Sequence, residues 1–338
     1  MNWRNLLACG AQNAEFFPHP ADLCLSNVDE SVAAAALLNA VRQALAAGRK
    51  PWLVMPRLDS AEELMRQFTI WNRVLNLNWR IELMPEIQRG KFYVAGGEAD
   101  RARVLGVIQR GEFDLLLATL PGLLSPAPRP ETLQATEIIL KPGLKYPFGK
   151  LLEALVKLDY DDEFEVGSPG EFARRGGIVD VYSPAEERPG RIEFFGDEIE
   201  SIRAFDPETQ RSLPGELPGY RTINRCTAQS LEAAEENGGE EEAPGDVLDF
   251  FQPGAMLFWQ FQPGQFPEYF RRFGGDREAA RFQAFTGTLP RPTVGMIYGS
   301  GEAAPEAAAP CGIYPALSHL TAQLPEEVLE SGRELAAE

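Results

Sequence analysis

The chain has 338 residues, of which 44% are hydrophobic and 24% charged, and its formal net charge is −18. That length allows two or three domains with a sizeable core, and the balance is that of a folded cytosolic protein rather than a disordered one. The acidity excludes uniform neutralisation of nucleic-acid phosphates and disfavours an anionic membrane surface, and no apolar run reaches the roughly 18–20 residues that span a bilayer.

The N-terminal stretch MNWRNLLACGAQNAEFF carries one arginine and a short apolar patch, so no cleaved signal peptide is expected and the location is read as cytoplasmic. The cysteines Cys9, Cys24, Cys226 and Cys311 are far apart and form no CxxC pair, and the histidines are His19 and His319. A structural zinc site needs paired spacings that this set lacks. Neither histidine has a GxSxG-type nucleophile motif beside it.

The segment to about residue 135 alternates helices with short buried strands. SVAAAALLNAVRQALAAG is an Ala/Leu-rich helix that Gly48 should stop. KPWLVMP follows as a strand. DSAEELMRQFTIWNRVL is a helix that Asp59 and Ser60 should cap, with Glu62 and Glu63 in its first turn. ADRARVLGVIQRG is a further amphipathic helix, and FDLLLATLPGLL a buried strand running into a turn. Such alternation predicts a parallel sheet covered on both faces.

SPAPRPET is a proline-rich connector and sets the expected boundary at 135. Beyond it, TEIILKPG should be an edge strand and FGKLLEALVKLDY a helix with Leu151, Leu152, Leu155, Val156 and Leu158 apolar. GGIVDVYSP, GRIEFF and EIESIRAFD then read as strands of a small antiparallel sheet, the last two joined by a turn at Gly196–Asp197. This gives an inserted α+β unit over 136–219. Residues 220–338 are read as a returning α/β segment with an acidic, solvated loop at 231–246. Within it AMLFWQFQ and PTVGMIYGS are strands, FPEYFRRFGGDREAARFQAF is a helix broken near Gly274–Gly275, and GEAAPEAAAP is a linker.

Chemistry-bearing motifs are missing. The loop before the first helix, LCLSNVDESVAAAA, has no glycine and no lysine, and it places Asp29 and Glu30 where a P-loop would hold phosphate. VAGGEAD lacks the GxGxxG spacing and reads as a turn before a helix. The adjacent carboxylates Asp161–Asp162 and Glu186–Glu187 read as solvated loop. No bound cofactor, metal or catalytic group is expected in this chain.

One strand poses a question. In RIEFFGDE, period-two alternation sends Ile192 and Phe194 to one face and Arg191, Glu193 and Phe195 to the other. Two readings stand: Phe195 packs beneath the Gly196 turn while Arg191 pairs with Glu193 or Glu200, or Arg191 and Phe195 are anchors for a partner.

The motifs GEFARRGG (170–177), VDVYSP (179–184), RIEFFGDEIESIR (191–203) and FDPETQRS (205–212) resemble the UvrB-type interaction domain, most closely as it occurs in the transcription-repair coupling factor (Mfd) family. More weakly, the first α/β segment is similar to that family's UvrB-like domain, which implies a RecA-like shape with a degenerate nucleotide site. The resemblance implies binding of UvrA in nucleotide excision repair through Arg175, Arg191 and Phe195, with Arg174, a departure from the pattern, as a further candidate. It also implies that this stretch is a non-motor module. The motor that uses ATP and Mg, and the contacts to RNA polymerase and double-stranded DNA, would lie elsewhere in an intact member. The alternatives are that these residues belong functionally to an ATP-dependent DNA translocase, or that they form a stand-alone UvrA-binding regulator.

Overall fold

In the computed structural model, which describes residues 23–28, 33–86, 95–227, 231, 245–251, 254–259, 270, 275–288, 294–299 and 309–310, the run Leu115–Thr119 is buried at every position. So are all residues of the strand Lys50–Met55 after Lys50. Continuous apolar strands of this kind belong inside a parallel sheet. Seven strands form one, in the order Ala309–Pro310, Leu23–Val28, Val294–Gly299, Gly254–Trp259, Lys50–Met55, Leu115–Thr119, Ile81–Leu83, with every pairing parallel. Two strands from beyond residue 250 therefore separate Leu23–Val28 from Lys50–Met55, which makes the returning segment part of the same sheet.

The helices Ala33–Ala46 and Leu58–Val74 pack in this unit through stripes at helical spacing. Ala34, Leu37, Leu38 and Val41 from one, and Ala61, Leu64 and Phe68 from the other, share a core with Leu53, Met55, Leu115 and Leu117. Gly48 ends the first helix at φ +71°, its N–H bonded to the Leu45 carbonyl. The second helix starts at Leu58, ahead of the Asp59–Ser60 cap that the sequence predicts. Arg57 occupies the cap position, and Asp59 in the first turn accepts a two-pronged bond from the Arg57 guanidinium. LCLSNV, expected as loop, is a strand, because its partners lie some 270 residues away and local pattern cannot reveal them. Asp29 and Glu30, and most of the acidic 231–246 segment, lie outside the described residues, as do the two histidines, Cys9 and Cys311.

The described residues fall into two compact units, Met1–Met84 with Glu112–Leu124 and Phe251–Glu338, and Pro85–Gly111 with Ser125–Phe250. This division differs from the expected boundaries at 135 and 219. The helix Ala95–Arg110 and the connector after Ser125 belong to the second unit. The reason is visible at Arg101, whose buried guanidinium donates to the carbonyls of Pro85 (2.8 Å), Ser125 (3.3 Å) and Pro126 (2.9 Å). Burial lowers its pKa to about 10.

The second unit is built on a five-stranded sheet in the order Glu198–Ala204, Gly190–Phe195, Ile178–Tyr182, Glu171–Arg175, Asp161–Asp162. All pairings are antiparallel except the last. Asp161–Asp162, read from sequence as loop, is thus a short edge strand. The helix Phe148–Lys157 covers the inner face, bringing Leu151 and Leu155 onto Phe172, Val179, Val181, Ile192, Ile199 and Ile202. Val156 of the same helix is exposed, on the side away from this core. Ile138–Leu140, the expected edge strand, pairs with Tyr220–Thr222 in a separate two-stranded sheet.

Strict alternation would send Glu200 into this core. The register instead shifts so that Glu193 faces Ser201 while Phe194 faces Ile199, leaving Glu200 as the extra residue of a bulge. Ile199 and Ile202, three residues apart, then both face inward and Glu200 stays exposed. Tyr220 closes the unit from below: its hydroxyl donates to the Val181 carbonyl (2.9 Å) and accepts from the Ser183 N–H (3.0 Å). Its ring lies where a side chain at residue 190 would be, which is why Gly190 is a glycine. Among the described residues no helix is long and apolar enough to cross a membrane.

Candidate interaction surface

The outer face of the five-stranded sheet is ordered by its register. Ala173, Asp180, Arg191 and Arg203 form one row across four strands, and Arg175, Ile178, Glu193 and Ser201 form the next. Two residues beyond Glu193, on the same face, stands Phe195. From strand spacing and rise, Arg175, Arg191 and Phe195 form a triangle with sides of roughly 12–13 Å, with Glu193 midway along the Arg191–Phe195 side. Arg174 does not join them. It pairs with Val179, in the row of Ile192 and Ile202, and so projects at the rim of the opposite face.

The turn that positions Arg175 is the reason for the RGG motif. Gly176 has φ +62°, a conformation costly for any residue with a Cβ. A Cβ on Gly177 would stand 3.1 Å from the Phe194 carbonyl oxygen, and that glycine's own carbonyl accepts the Phe194 N–H at 2.8 Å. The turn is thereby seated against the strand Gly190–Phe195, directly beside the row that holds Glu193.

Arg191 is held by its own fold. Its Nε and Nη2 donate to the two oxygens of Asp180 at 2.8 and 2.9 Å, and Nη1 donates to the Gln210 carbonyl (3.3 Å) and Ser212 Oγ (3.1 Å). The guanidinium also lies over the Phe205 ring, 4.8 Å from its centroid. Its side chain is 16% exposed and that of Asp180 3%. Hydrogen bonding to Asp180 raises the arginine's pKa above its ordinary value, against the opposing effect of burial. Neither Glu193 nor Glu200, the partners considered from sequence, takes this role, because Asp180 lies directly across the strand and the bulge has turned Glu200 aside. Arg191 therefore ties the 205–212 loop to the sheet.

Phe195 has no such anchorage. It is 81% exposed, so it does not pack beneath the Gly196 turn. Phe194, its neighbour, turns inward and meets Phe148 edge-on at 5.3 Å. Arg175 lies between these extremes. Its Nη2 donates to the Phe164 carbonyl (3.2 Å) and to Glu165 Oε1 (3.1 Å), and its guanidinium sits 5.4 Å from the centre of the Phe164 ring. Phe164 itself is 84% exposed. Sequence reading passed over it, although an aromatic inside DDEFEV carries the same signal as Phe195 between charges.

Exposed phenyl rings, a stacked guanidinium and alternating charges are features of a face that binds another macromolecule. Among the described residues no group of three His, Cys, Asp or Glu side chains converges as metal ligands would.

Comparison with known proteins returns the same domain. Residues 138–218 match the model of the UvrB interaction domain. The transcription-repair-coupling factor of Bacillus subtilis is 33% identical over 130 residues, 38% of this chain and 11% of that protein. The protein of the same name from Mycobacterium tuberculosis is 39% identical over 100 residues, 30% of this chain and 8% of the relative. That of Staphylococcus aureus is 39% identical over 114 residues, 34% and 10% respectively. The matched stretch is thus about a tenth of each relative's length.

Proposed function

We propose that this chain is a recruitment module, the non-motor N-terminal part of a transcription-repair coupling factor, which docks UvrA on the outer face of its five-stranded sheet during nucleotide excision repair. The observation that carries the reading is Phe195: a large apolar side chain left in water beside charged residues, inside the segment that matches the UvrB interaction domain. Burying such a ring against a partner is worth about 1.5–3 kcal/mol, enough to dominate a contact.

Within this reading the residues divide the work. Phe195 enters the partner. Arg175, on the same face and already stacked, offers forked donors to a carboxylate. Arg191 holds Asp180 and the 205–212 loop so that the face keeps its shape, with its remaining surface at the margin of the contact. Arg174, on the far side of the strand, contributes little. The seven-stranded parallel sheet supports a RecA-like first domain, and the sequence around Asp29 and Glu30 supports a nucleotide site that has decayed. ATP, Mg, double-stranded DNA and RNA polymerase would then engage other parts of a longer family member.

The reading is tested by size-exclusion chromatography of the 338-residue chain with UvrA. A complex with the unaltered chain that Phe195→Ala abolishes is expected. Absence of a complex with well-folded chain would refute recruitment, and equal complex formation by the variant would refute the assignment of the face.

A further inference from the structure

We propose that Phe164 is a second aromatic anchor of the same face, which with Arg175 forms a ledge that the docked partner closes over; the inference rests on the UvrA-docking reading above. Among the described large apolar residues, Phe164 and Phe195 stand apart, at 84% and 81% exposed, from the other exposed ones, all at 61% or less. Both are aromatic; Phe195 ends the strand Gly190–Phe195, and Phe164 lies in a bend two residues past the edge strand Asp161–Asp162, bound to Arg175 of the RGG turn.

Phe164 is presented by ordered backbone. The residue before it, Glu163, donates its N–H to the Phe172 carbonyl at 2.8 Å, and the Phe164 carbonyl accepts from Arg175 Nη2 at 3.2 Å. The ring is therefore held at the sheet edge, with one face against the guanidinium. A phenylalanine fixed this way loses little freedom on binding, because it has few torsions and a pinned main chain.

Arg175 joins the two anchors into one surface. It shares the outer face with Phe195, by register, and it touches Phe164 directly. Its second partner is the half-exposed Glu165, a surface ion pair of small net value that a carboxylate on the partner can replace. The partner surface that fits is an apolar recess for each ring with a carboxylate between them.

The experiment is a calorimetric titration of UvrA against the 338-residue chain and its Phe164→Ala, Phe164→Tyr and Phe195→Ala variants. Phe164→Ala is expected to weaken binding about tenfold, and Phe164→Tyr to stay within about twofold. Because the ring is exposed, the circular dichroism and melting of both variants should match the original chain. Binding by Phe164→Ala within about twofold, with Phe195→Ala weakened tenfold or more, would overturn the second anchor and leave the docking reading standing. Failure of the unaltered chain to bind would overturn both.

Discussion

Replacing Arg191 with alanine removes a guanidinium that makes four hydrogen bonds and leaves the Asp180 carboxylate, 3% exposed, without its forked partner. Losing one side of a buried ion pair costs about 3–5 kcal/mol, most of it the penalty of an uncompensated charge. The bonds to Gln210 and Ser212 and the contact with Phe205 add to the loss, since the loop they tie down is then free to lift. The expected destabilisation of the second unit is therefore about 3–5 kcal/mol. Tryptophan emission is a poor reporter, because the described tryptophans (Trp52, Trp71, Trp79, Trp259) lie in the first unit. Native-state hydrogen exchange, read on peptides covering 171–212, follows the right residues. The double variant Arg191→Met, Asp180→Asn removes both charges and should lose less than Arg191→Ala alone. A loss below about 1 kcal/mol for Arg191→Ala, or a double variant less stable than the single one, would refute the strut assignment. The result also decides how binding data are read, since lost affinity in Arg191→Ala would then report a collapsed loop rather than a missing contact.

Two further outcomes follow from the same unit. Gly190→Ala would place a Cβ 2.6 Å from the Tyr220 ring, forcing aside a residue whose hydroxyl holds Val181 and Ser183; a loss of about 1–3 kcal/mol by urea denaturation is expected, and a neutral effect would contradict the packing described. Burial raises the pKa of Glu186 above its ordinary 4.5, although the Arg221 N–H and charge act the other way. The folded state then holds this proton more tightly than the unfolded one, so stability is undiminished below 4.5 and falls as pH rises through the higher folded value. Glu186→Gln should flatten the fall that sets in above pH 4.5, and an unchanged pH profile would show the group is not a contributor.

Local pattern in the sequence carried much of this fold. Composition and capping residues located the two helices whose Leu37, Val41, Leu64 and Phe68 lie in the core, and alternation sent Phe195 outward. What escaped was set by distant partners. The strand Leu23–Val28 exists because it pairs with Val294–Gly299, and the helix Ala95–Arg110 joins the second unit through Arg101 and the carbonyls it binds. Arg191 was legible as outward-facing, yet its role depended on the cross-strand register that sets Asp180 opposite. The bulge at Glu200 could have been suspected from Ile199 and Ile202, whose spacing breaks period two. Phe164 was legible and was passed over because four neighbouring acids made DDEFE look like loop.

The most direct measurement is the hydrogen-exchange footprint of UvrA on this chain. Docking on the outer face predicts slowed exchange in peptides covering 172–178 and 190–198, around Arg175 and Phe195. Protection confined to other peptides, with these unchanged in a formed complex, would contradict it.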